Sequence, residues 1–107
     1  MAKRQTPKQT SKLSPQRRDI LDYLGDDYDT VVFFEPAGMD VAIIGLSCRQ
    51  PSRPPCVVYD YAKLLKYFQA EGMTIEDAVE WMGYNTLGAW VGDATPIVLE
   101  TVLNLAG

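Results

Sequence analysis

Apolar positions are absent from residues 3–12, KRQTPKQTSK, and then recur in six separated groups. The first group is Ile20, Leu21 and Leu24, one stripe at helical spacing in SPQRRDILDYLG. Ser14 is a good N-cap, Pro15 at the first helical position loses no needed donor, and Gly25 is a stop, so a helix is predicted over about 15–24. Arg17 and Arg18 fall in its first turn, the unfavourable end of the helix dipole for cations. They are either tolerated there or face a partner.

Two continuous runs follow, VVFF (31–34) and VAIIGLSC (41–48). Both are dense in β-branched or aromatic residues and predict strands. The second is apolar on both faces, which predicts a central strand covered on both sides, with a bulge or close backbone approach at Gly45. Glu35-Pro36-Ala37-Gly38 between them is a turn. Three prolines in RQPSRPP (49–55) forbid a ladder and predict an exposed loop. CVVYD (56–60) is a third strand, antiparallel to the second if the two form a hairpin.

Asp60 caps a helix over 61–72 whose buried face is Leu64, Leu65 and Phe68, and Gly72 ends it. Thr74 opens another, with a capping-box-like Thr-Ile-Glu-Asp start. Its apolar side is Ile75, Ala78, Val79 and Met82, with Trp81 alongside; Gly83 weakens it and Gly88 closes it. Trp90 lies in an irregular connection, where it is expected to fill a gap between helix and sheet; a ligand-stacking role is the alternative. Residues 97–102 are predicted as a final strand. The sum is an α+β fold: a small antiparallel or mixed sheet of three to four strands packed against two to three helices. Residues 1–13 form a basic disordered arm and 14–107 a single domain.

Charge divides the chain in the same place. Residues 1–18 carry six bases and no acid, whereas 19–107 carry the other four bases and all fourteen acids. A solubilising tail and a phosphate-binding tail both fit this layout. The absence of histidine removes the commonest general base and metal ligand. Cys48 and Cys56 flank the proline loop, and a C-x7-C pair is too few ligands for zinc. No apolar run near the start suggests a signal peptide, and no window approaches a membrane span, so a cytoplasmic chain with free thiols is expected.

Catalytic signals are sparse. Asp27 to Val31, DYDTV, matches the D-x-D-x-[TV] pattern of haloacid-dehalogenase-like phosphatases. In that family the apolar strand precedes the first aspartate. Here VVFF follows, so a solvated turn is the better reading. No phosphate-binding glycine loop or metal-ligand cluster occurs. No catalytic residue, metal site or cofactor is expected. A small carboxylate- or thiol-dependent enzyme is the reading this leaves for catalysis.

Asp40 to Leu99 resembles a family of small, functionally uncharacterised proteins of tailed bacteriophages and prophages. MDVAIIG, VVYDYAKLL, GMTIEDAVEW and above all YNTLGAWVGDATPI carry the resemblance, the last through the motif N-T-x-G-A-W-V-G-x-x-T-P. It implies a viral or prophage origin and residence in the bacterial cytoplasm. It brings no catalytic residues. With the acidic body, it points to stoichiometric binding of a host protein, such as a nucleic-acid-binding effector, in the manner of anti-CRISPR inhibitors of defence nucleases. The candidate contact residues are Arg49, Arg53, Glu76, Asp77, Glu80 and Trp90, of types and charges suited to interfaces. The alternative is a weak, salt-sensitive nucleic-acid contact through Lys3, Arg4, Lys8, Lys12, Arg17 and Arg18.

Overall fold

The computed structural model describes residues 13–87 and 90–102. The expected arm lies almost wholly outside the described residues, as does Gly88. Helix α1, Pro15–Leu24, starts where predicted: the Ser14 hydroxyl accepts the Arg17 amide at 3.0 Å. Gly25, at φ 58°, ends it. Only Ile20 of α1 is buried, so the helix rests on the body along one line.

The acidic stretch Gly25–Thr30 continues as a 3-10 helix. Residues 31–34 are then extended but join no ladder, which corrects the expected first strand. The reason lies in their partners. The Phe34 amide donates to the Tyr59 hydroxyl at 2.9 Å, and the Arg17 guanidinium covers the Phe33 ring at 4.1 Å. Side chains have taken the place of a neighbouring strand. A second 3-10 segment, Ala37–Ala42, replaces both the tail of the predicted turn and the first residues of the predicted strand, and buries Met39, Asp40 and Ala42.

Strands β1, Ile43–Ser47, and β2, Cys56–Asp60, pair antiparallel, with the irregularity between Ile43 and Gly45 that Gly45 foreshadowed. Strand β3, Ile97–Leu99, pairs parallel to β2 and is half the length predicted. The sheet is mixed and its order is β1-β2-β3. The central strand is therefore β2, with four of its five residues buried. β1 is an edge strand with Ile44 exposed, contrary to its apolar pattern. The strand expected to flank it, 31–34, is held elsewhere.

Helix α2, Tyr61–Ala70, begins at Asp60, whose carboxylate accepts the Lys63 amide at 2.9 Å, and buries Leu64 and Phe68. Burying a side chain such as Leu64 stabilises the fold by about 1.5–3 kcal/mol. Helix α3, Ile75–Met82, is capped by Thr74 and stops at Gly83, where a single π-helical turn, Gly83–Leu87, takes over. Its buried side is narrower than predicted: Ala78 and Met82 are inside, Ile75 and Val79 outside. Trp81 completes that side by stacking on Phe68, ring centroids 4.6 Å apart. The core that these elements share is Met39, Val57, Tyr59, Leu64 and Met82. Among the described residues no helix is long and apolar enough to cross a membrane.

Candidate functional site

Because β2 and β3 run parallel, the segments that enter them lie at one end of the sheet. The proline loop 49–55 enters β2, and residues 90–96 enter β3. Cys56 ties the two together. Its buried thiol lies 3.6 Å from the Pro54 carbonyl and 3.4 Å from the Asp93 carbonyl, donating to both. A weak sulfur donor thus joins the hairpin loop to the turn beside it.

That turn is built by the end of the N-T-x-G-A-W-V-G-x-x-T-P string. Gly92 has φ 108°, a conformation that glycine adopts without a Cβ clash. The Thr95 hydroxyl accepts the Val91 amide at 2.8 Å and donates to the Gly92 carbonyl at 2.6 Å, and the Thr95 amide also reaches Gly92 O at 3.1 Å. Pro96 is buried and leads into β3. The product is a braced turn that presents Trp90, 68% exposed, with Val91 beside it. This corrects the expectation that Trp90 plugs the core. Trp81 and Phe68 fill that space instead.

Arg49 and Arg53 are exposed on the hairpin loop, at the same end of the sheet as Trp90. Glu76, Asp77 and Glu80 are on α3, a different element, and all three are exposed. Glu76 and Asp77 complement the positive end of that helix. Asp77 and Glu80 also line a shallow hollow of about 350 Å3 with Trp81 and Tyr84, and Tyr84 is 80% exposed. Carboxylates beside aromatic faces suit a cationic side chain. Sequence reasoning missed Tyr84, because the π-helical turn that offers it to solvent follows no apolar periodicity.

The basic candidates divide. Lys3, Arg4, Lys8 and Lys12 lie outside the described residues. Arg17 is held inside the molecule: its Nη2 donates to Asp40 Oδ1 at 2.9 Å, and its Nε stands 2.9 Å from Oδ2. Arg18 donates to the Leu13 carbonyl at 3.1 Å. Among the described residues no group of three His, Cys, Asp or Glu side chains could hold a metal ion. Both cysteines are free thiols, Cys56 buried and Cys48 half-buried. The chain matches no protein-family model, no curated protein and no solved structure.

Proposed function

We propose that this protein works by stoichiometric binding to another protein, with the sheet end that carries Trp90, Arg49 and Arg53 as the contact surface. The observation that carries the reading is an exposed tryptophan on a turn braced by three hydrogen bonds. Tryptophan and arginine dominate binding energy at interfaces, and a fixed turn lowers the entropy lost on binding. A large ring in water on a rigid support contributes little to the fold. The acidic hollow of α3 supports a partner with basic surface. The resemblance of Asp40 to Leu99 to tailed-phage proteins supports a bacterial host protein as that partner, with a defence nuclease as the leading example.

The test compares the wild-type chain with Trp90→Ala and with Arg49→Glu/Arg53→Glu as baits in nuclease-treated bacterial lysate. A protein captured at a fixed ratio by wild type, and lost from both variants at unchanged melting temperature, supports the proposal. Capture that persists in both variants, or that disappears with nuclease treatment, refutes it. The second outcome would favour the arm and nucleic acid.

A further inference from the structure

A cleft of about 400 Å3 runs between α1 and β1, on the helix-facing side of the sheet and apart from the Trp90 turn. Four consecutive residues, Ile43 to Leu46, line one wall, and Cys48 continues it. Successive side chains of a strand point to opposite faces, so a wall of four consecutive residues is the edge of the strand rather than a face. β1 is the first strand of the sheet, with β2 its single neighbour. Gln16, Asp19, Ile20 and Tyr23, a stripe at i, i+3, i+4 and i+7, form the opposite wall.

The two walls are fixed at both ends. Ser14 and Arg17 at the start of α1 bind Asp40, three residues before β1. Near its other end, the Tyr23 hydroxyl lies 3.9 Å from the Cys48 sulfur. Helix and strand therefore run side by side in the same direction, with an apolar floor that includes Ile20, Ile44 and Leu46.

We propose that this cleft binds an extended segment of a partner protein, alternating apolar and basic side chains, which adds to β1 as a fourth strand. Main-chain pairing to an open edge supplies affinity, and pockets for alternate side chains supply selection. Charge fixes the chemistry of the occupant. Asp19 is the one charged residue lining the cleft, and Asp22 follows it on the exposed side of α1. The arginines of that helix are committed elsewhere, Arg17 to Asp40 and Arg18 to the Leu13 carbonyl. A second copy pairing through β1 would set two α1 helices against each other across a twofold axis, with Asp19 and Asp22 facing like charges. A basic strand meets no such repulsion.

The test titrates the isotope-labelled full chain with the octapeptide acetyl-KVKVTVKV-amide. The amides of Ile43 to Ser47 should shift and gain protection from hydrogen exchange. A peptide of the same sequence, N-methylated at alternate residues on the edge that faces β1, keeps every side chain but loses the ladder, and should bind at least roughly tenfold more weakly. Asp19→Lys, an exposed change, should weaken the unmodified peptide by about tenfold or more at low salt and less at high salt. Equal binding of the N-methylated peptide, no shift at millimolar peptide, or insensitivity to Asp19→Lys each overturns the proposal. So does a doubling of mass that tracks the β1 shifts, which gives the edge to a second copy. Binding that emerges only after deletion of residues 1–12 gives the cleft to the chain's own arm and also overturns it.

Discussion

Arg17 and Asp40 form an ion pair 23 residues apart in sequence, with Nε 2.9 Å from Oδ2 and the Asp40 side chain 2% exposed. The pair anchors α1 to the 3-10 segment that leads into β1. Ser14 adds a third group: its hydroxyl donates to Asp40 Oδ2 at 2.8 Å while accepting the Arg17 amide. One serine thus caps the helix and orients the carboxylate that the helix binds. Arg17→Ala leaves that buried carboxylate without its cation, and should destabilise the fold by about 3–5 kcal/mol. Arg17→Met with Asp40→Leu removes both charges and should recover most of the loss. Urea midpoints at constant m-value measure both effects. Equal losses in the single and double variants would show that packing, not charge, is what the pair provides.

Tyr59 makes stability depend on alkaline pH. Burial pushes its hydroxyl from the ordinary 10.0 up to about 12, against the opposing pull of the Phe34 amide that donates to it. The folded pKa is the higher one, so this contribution is complete below pH 10 and lost as pH rises through 12. Two pH units correspond to about 2–3 kcal/mol. Tyr59→Phe removes the acceptor of the Phe34 amide, which costs about 1–2 kcal/mol at neutral pH. It should also flatten the decline between pH 10 and 12 relative to wild type. A parallel decline in both proteins would assign it to other groups.

Gly38 faces Tyr67 at close range. A Cβ on Gly38 would stand 2.5 Å from the Tyr67 hydroxyl oxygen and 2.8 Å from the ring. Gly38→Ala should cost about 1–3 kcal/mol. The clash is with a side chain rather than backbone, so the cost should fall in a Tyr67→Ala background. A double-mutant cycle measured by thermal unfolding gives the coupling, and its absence would place the strain in the backbone at Gly38.

Local chemistry explains which elements could be read from the chain. Ser14, Asp60 and Thr74 cap helices as their residue types demand, and Gly25 and Gly45 mark a stop and a bulge. These signals act over three or four residues. What escaped the sequence depends on distant partners. VVFF has the composition of a strand, yet the Tyr59 hydroxyl and the Arg17 guanidinium hold it outside the sheet. That displacement leaves β1 at an edge, so an apolar pattern that suggested two covered faces instead lines a cleft. Trp90 misled for the same reason: its size suggested a core position that Trp81 already occupies. The candidate contacts Arg49, Arg53 and Trp90 share one end of the sheet only because β3 is parallel to β2, a crossover that no local motif records.

Thr95 separates support from contact at the Trp90 turn. Its hydroxyl makes two of the turn's three short bonds, to the Val91 amide and the Gly92 carbonyl, and touches no part of the Trp90 ring that solvent sees. Thr95→Val keeps the shape and removes both bonds. The Val91 amide is exposed and water can replace its partner, so the stability cost should be about 1 kcal/mol or less. Trp90→Ala should cost less still, within about 0.5 kcal/mol, since the ring lies mostly in water. The two variants should differ in how they affect a partner. Loss of the ring removes contact area and raises the dissociation rate. Loss of the brace leaves the ring in place but lets the turn sample other conformations, which lowers affinity through the fraction of time the surface is competent. Hydrogen exchange at Val91 and Thr95 should quicken in Thr95→Val and stay unchanged in Trp90→Ala. If Trp90→Ala instead lowers stability by several kcal/mol, the ring is part of the core and the contact surface proposed for this end of the sheet is wrong.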